Sequence, residues 1–142
     1  MFARPRELTA AAIVLRAAIV ALAAGTAYIH STLGGLLFTL NAAGYAAAAL
    51  AMIVPLAVAV RFRWVVRLGL VGYALATIVG WAIQGPYYST AFIAKGIEVA
   101  LIVLLLLDFV RADGNPVTVV RDNVRVAFTR LGLRPAAGGA AA

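Results

Sequence analysis

A chain of 142 residues is sized for one domain, and 65% of it is hydrophobic, well above the roughly 45–50% of a soluble domain; only a bilayer hides that much apolar surface. The absence of cysteine excludes disulfides, thiolate metal sites and cysteine nucleophiles, and a single histidine, His30, excludes haem held by two histidines. The net charge of +7 would suggest nucleic acid in a soluble protein, but here the basic residues fall between apolar segments, where they mark the cytoplasmic side of a membrane; no nucleic-acid partner is expected.

Four stretches reach the length of about 20 apolar residues that crosses the hydrocarbon core: residues 9–32, 35–60, 64–83 and 89–110. They are apolar throughout, without the alternation of barrel strands, so they read as helices. The first carries Arg4 and Arg6 ahead of it, like a secretory signal, but Arg16 interrupts its front and its apolar run exceeds a signal core, so it is expected to stay. Gly34 and Gly35 separate it from the second stretch, in which Pro55 is expected to kink the helix. The pair Arg61 and Arg63 precedes the third stretch, and Gly85–Pro86 the fourth. Such short connections make neighbouring helices antiparallel. Small residues (Ala23, Ala27, Gly44, Ala48, Gly69, Gly72 and Gly80) mark where the helices are expected to approach closely.

Orientation follows from the basic residues. Arg4, Arg6 and Arg16, then Arg61, Arg63 and Arg67, then Arg111 and the arginines beyond it fall on one side, while the loops at 31–35 and 84–88 contain neither Lys nor Arg. Both termini are therefore expected in the cytoplasm, the protein lying in the plasma (inner) membrane. Arg16 and Arg67, a turn or two inside their helices, are expected to snorkel to the headgroups. The fold class predicted is an all-α membrane protein, a four-transmembrane antiparallel helix bundle over residues 1–112, with a basic amphipathic helix and an Ala/Gly-rich tail over 113–142. In that helix Val117, Val120, Val124, Ala127, Phe128 and Leu131 form a stripe, and Arg121, Arg125, Arg130 and Arg134 lie off it. This pattern suits a helix lying on anionic lipid headgroups at the cytoplasmic face.

Ionisable residues inside membrane helices are costly and mark functional sites by default. Lys95 and Glu98, three apart, share a helix face; at 1.5 Å per residue they lie roughly 8 and 12 Å below the outer boundary. His30, Asn41 with Tyr45 on its face, and Gln84 fall in the same outer half of the membrane, so a cluster of His30, Asn41, Tyr45, Gln84, Lys95 and Glu98 is predicted. Tyr73, Thr77, Gly80 and Gln84 form a polar or small stripe on the third helix, with Trp81 beside it. The cluster is either interhelical glue that fixes register or a proton-linked site, with His30, which titrates near neutrality as a residue type, passing protons to Glu98. All three Asp residues lie on the cytoplasmic side in this topology, which excludes a Ser/His/Asp triad. His30 and Glu98 are too few ligands for a closed zinc site, and no nucleotide-binding motif is present. No cofactor and no catalytic residue are assigned.

The run from Tyr28 through His30, Leu37-Phe38-Thr39-Leu40-Asn41 and Ala42-Ala43-Gly44-Tyr45, with Gly72-Tyr73 and Ile97-Glu98 later, resembles small four-helix integral membrane proteins of actinobacteria and other high-GC bacteria, a group without assigned function. The resemblance implies the architecture and draws attention to His30, Asn41 and Glu98; it names no activity. The reading favoured by the sequence is a non-enzymatic accessory or scaffold subunit with a structural polar core, assembled as a homodimer or with other membrane subunits. The alternative is a small proton-coupled transporter or channel, dimeric, using Glu98. In size it resembles the small multidrug transporters, whose essential Glu lies in the first helix, where this chain has none within the membrane. A membrane redox or enzyme subunit is a third reading.

Overall fold

The computed structural model describes residues 9–132; Arg4, Arg6, Arg134 and the Ala/Gly-rich stretch 135–142 lie outside the described residues. Among the described residues every regular element is helical: α1 (Ala10–Thr32), α2 (Leu36–Ile53), α3 (Ala57–Arg61), α4 (Arg63–Gln84), α5 (Ser89–Ala112) and α6 (Pro116–Arg130). Four of these, α1, α2, α4 and α5, are long and apolar enough to cross a membrane, so the chain is a multi-pass membrane protein by helix length and composition.

Local chemistry sets the helix ends. The Thr9 hydroxyl accepts from the Ala12 amide at 3.2 Å and caps α1, and the Asn115 side chain accepts from Val117 N at 2.9 Å to cap α6, with Pro116 in the first turn. Between α1 and α2 the chain turns through Gly34 and Gly35 at φ +71° and +83°, a backbone region that side-chain-bearing residues rarely enter. The second predicted segment, 35–60, is not one helix. α2 stops at Ile53, Val54 is extended with ψ at 124°, and five residues of α3 follow. Proline disfavours helical backbone in the residue before it and cannot donate to the preceding turn, so Pro55 breaks the helix where a kink was expected. The Arg63 Nη2 donates to the Val54 carbonyl freed by the break, at 3.2 Å.

α1 packs against α2 and α5, and α4 packs against α5 and α2. All four contribute to one core: Ile19 and Ala23 from α1, Tyr45, Ala49 and Met52 from α2, Leu70 and Ala74 from α4, Leu101 and Leu105 from α5. In the most apolar window of each span only 17, 17, 17 and 28% of residues are buried. The outward remainder, such as Leu37, Leu50, Val79, Ile93 and Val103, is apolar and exposed, a surface matched to hydrocarbon and not to water. Lipid gives such helices little hydrophobic drive to associate, so close packing and buried polar bonds must hold them together. Close approach is real at Gly44, where an added Cβ would stand 2.9 Å from Tyr73 Oη and 3.0 Å from Cζ. It is absent at Gly69, Gly72 and Gly80, where an added Cβ would meet nothing within 4 Å; Gly80 borders a cavity instead of a neighbouring helix. None of α6 is buried, and its apolar stripe, including Val117, Val124 and Phe128, is uncovered.

Candidate functional site

Glu98 on α5 is the centre of the polar cluster. It is fully buried, and its Oε2 accepts from Lys95 Nζ at 2.7 Å, one turn back on the same helix, and from Thr77 Oγ1 of α4 at 2.8 Å. Its other oxygen, Oε1, has no hydrogen-bond partner. Facing Oε1 at 3.8 Å is His30 Nε2 of α1. The opposite ring nitrogen, Nδ1, lies 2.9 Å from the Thr26 carbonyl. A carbonyl only accepts, so Nδ1 carries the proton, and in the neutral ring Nε2 presents a lone pair. Two acceptors then face each other. One added proton, on either atom, converts the pair to donor and acceptor, and closing the gap by about 1 Å completes a hydrogen bond.

Around this carboxylate the helices supply a relay. Thr77 Oγ1 lies 2.8 Å from Glu98 Oε2, 2.9 Å from the Ala74 carbonyl and 3.1 Å from the Tyr45 hydroxyl. A hydroxyl has one proton to give, so when Thr77 gives it to Glu98 its own oxygen can accept from the Tyr45 hydroxyl. The Tyr45 ring, fully buried, stacks at 5.7 Å from His30 and edge-on at 5.0 Å from Tyr73, and Tyr73 donates to Asn41 Oδ1 at 2.6 Å. The Thr26 hydroxyl, one turn from His30, is buried without a partner.

A cavity of about 360 Å³ lies over the cluster, and its polar wall is formed by His30, Asn41, Tyr73, Thr77, Gln84 and Lys95. Leu37, Phe38 and Trp81 are among its apolar lining. Trp81 is held in place by its indole N–H on the Pro86 carbonyl at 2.8 Å and by edge contacts to Tyr87 and Phe92. Lys95 lines this space and Glu98 does not: the charge presented to a ligand is positive, and the carboxylate stands behind it. Among the described residues no group of three His, Cys, Asp or Glu side chains is placed to hold a metal.

Of the six residues predicted to cluster, His30, Tyr45, Lys95 and Glu98 meet directly or through Thr77. Asn41 joins through Tyr73. Gln84 lines the cavity and stays apart from the carboxylate. Thr77 and Tyr73, the nearest α4 partners, were visible only as part of a stripe; their spacing of four residues on the helix was the signal. A second buried network was missed. Arg67, expected to reach lipid headgroups, is instead buried, its Nε donating to Asp108 Oδ2 at 2.6 Å and its Nη1 to Asp113 Oδ2 at 2.7 Å. Burial pushes the Asp113 carboxyl up, outweighing the opposing pull of Arg67. Of the four arginines expected on lipid headgroups, Arg121, Arg125 and Arg130 are exposed on α6, and Arg134 lies outside the described residues.

The architecture and the cluster define a polytopic membrane protein with an intramembrane carboxylate behind a cation-lined cavity. Comparison with known protein families, with curated proteins and with solved structures finds no match.

Proposed function

We propose that this protein is a proton-coupled carrier of a small organic anion in the bacterial plasma membrane. It is an antiparallel four-helix bundle with both termini in the cytoplasm and its cavity open to the outside, working as a homodimer because four helices make a narrow path. The observation that carries the reading is the arrangement of Glu98: buried, with one oxygen on Lys95 and the other unbonded opposite His30 Nε2. A network that serves only to fix register is expected to satisfy each buried polar atom. This one leaves Glu98 Oε1, and the Thr26 hydroxyl one turn from His30, without a partner.

The coupling follows from charge. With Glu98 ionised, the Lys95 ammonium is neutralised by a carboxylate 2.7 Å away. A proton taken up on Glu98 cancels that partner and leaves the ammonium facing the cavity, where an organic carboxylate replaces it. The apolar and aromatic lining suits a monocarboxylate with an apolar body. Ligand and proton thus bind together and leave together.

Fluorescence of Trp81, read in a Trp64→Phe background, reports occupancy of the cavity during titration with aromatic monocarboxylates. Glu98→Gln, which imitates the protonated form, is expected to bind the anion at every pH, whereas the parent binds it only as pH falls. In liposomes holding a pH dye, the same variant is expected to abolish anion-driven proton uptake above the protein-free baseline. Lys95→Gln loses binding altogether. Anion binding indifferent to pH in the parent would sink the proposal.

The accessory or scaffold reading retains one specific support, the two bonds that already satisfy Glu98 Oε2. It is favoured if Glu98→Gln leaves every ligand response unchanged and the protein copurifies with another membrane subunit.

A further inference from the structure

At the opposite end of the bundle from Glu98 lies a group of arginines with too few acids. Arg67 uses both of its acidic neighbours, Asp108 and Asp113. Arg63, one turn earlier on α4, gives Nη2 to the Val54 carbonyl, a neutral group, and its Nε is buried without a partner. Arg16 on α1 is close enough to Arg63 for their charges to interact, and its Nε is also buried and unpartnered. Three guanidinium groups, of Arg16, Arg63 and Arg67, thus share the two carboxylates of Asp108 and Asp113, which also attract Arg63. Like charges at such range repel, and buried N–H donors without acceptors are costly. Among the described residues Asp108 and Asp113 offset part of this repulsion, but neither bonds the Nε of Arg16 or of Arg63.

Arg16 also lines a cavity of about 430 Å³, whose other walls are Ile13, Ala17 and Val20 of α1 and Met52 and Ile53 of α2. The slot is apolar except for the guanidinium at its edge, and it lies where Pro55 ends α2. A free inorganic anion would use the arginines and leave the slot unfilled. A molecule with an anionic head and a hydrocarbon chain uses both.

We infer that Arg16 and Arg63, together with the slot between α1 and the end of α2, form a binding site for one anionic phospholipid, its phosphodiester on the guanidinium groups and an acyl chain against Ala17 and Met52. This site is separate from the exposed arginines of α6 and does not depend on the carrier reading. Arginine is suited to it because its planar fork meets two phosphate oxygens at once, and basic pockets between membrane helices on the cytoplasmic side hold lipid headgroups in the same way.

The test is native mass spectrometry of the full chain, delipidated in detergent and titrated with phosphatidylglycerol or phosphatidylcholine. One phosphatidylglycerol per chain is expected to bind saturably, with phosphatidylcholine much weaker. Arg16→Gln and Arg63→Gln are each expected to weaken phosphatidylglycerol roughly fivefold, in line with the contribution of one basic residue near anionic lipid. Substituting Arg121, Arg125 and Arg130 with Gln should leave the tightly bound lipid in place. Should a glutamine variant fail to fold, Ala17→Trp keeps both arginines and fills the slot from an exposed position; it is expected to expel the lipid. Equal binding of the two lipids overturns the inference, as does a lipid lost only when α6 is altered. Protection of the protein from heat by inorganic phosphate as well as by phosphatidylglycerol would also overturn it, since the site would then take the ion alone.

Discussion

Gly44 shows how a single hydrogen atom holds the cluster's geometry. The Tyr73 hydroxyl that bonds Asn41 lies where a Cβ on Gly44 would be, 2.9 Å away. Alanine there must push the phenol off Asn41 or part α2 from α4, an overpacking cost of about 1–3 kcal/mol. Gly44→Ala is therefore expected to lower the melting temperature of the purified protein. Gly80→Ala, with nothing within 4 Å, is expected to leave it unchanged or raise it through better helix propensity. The sequence identified both glycines as small residues on helices and could not distinguish them, because the difference is one of rotation about the helix axis. Rotation also hid Thr77. Counting residues brings His30, Asn41, Gln84, Lys95 and Glu98 to a similar depth, but depth does not say which hydroxyl of α4 turns toward the carboxylate.

The α4–α5 pair is fastened at both ends by polar groups, Thr77 to Glu98 at one and Arg67 to Asp108 and Asp113 at the other. The second fastening escaped the sequence reading because a lone arginine near a membrane boundary has an easy alternative, extending its stem into the headgroups. What decided otherwise was two carboxylates at the far end of α5, which the orientation rule had placed on the same side. Arg67→Met strands Asp108, 4% exposed, and is expected to destabilise the fold by about 3–5 kcal/mol, read as loss of the folded fraction in a denaturant titration. Adding Asp108→Leu should recover most of that, since the remaining Asp113 side chain is 27% exposed and reaches water. Failure of the double variant to recover would mean that Arg67 holds α4 by its packing more than by its charge. The break at Pro55 was half legible: proline announces an interruption, but the sequence alone does not say whether it bends the helix or ends it.

Four spans, their order and the outward apolar surface were all readable, since each follows from composition and length. For α6 the sequence offered only a pattern, a stripe suited to lipid, and not a place. The structure leaves the stripe uncovered by the chain's own core. If the stripe rests on lipid, an environment-sensitive dye at Val124→Cys, in a protein that has no cysteine of its own, will report an apolar setting in vesicles. Phe128→Asp is expected to shift that emission toward the aqueous value. A dye that reports water in the parent as well would place α6 in solvent and leave its arginines without a lipid role.

In a carrier of the kind proposed, the pairing of Lys95 with Glu98 also sets the response to voltage. Empty, the site holds one ammonium and one carboxylate, and its net charge is zero. Loaded with a proton on Glu98 and a carboxylate ligand on Lys95, it is again zero. Membrane voltage does work only on net charge that moves, about 2.3 kcal/mol per elementary charge per 100 mV, so neither the loaded nor the empty site is driven by it. Such a carrier is blind to the electrical half of the protonmotive force and runs on concentration differences alone.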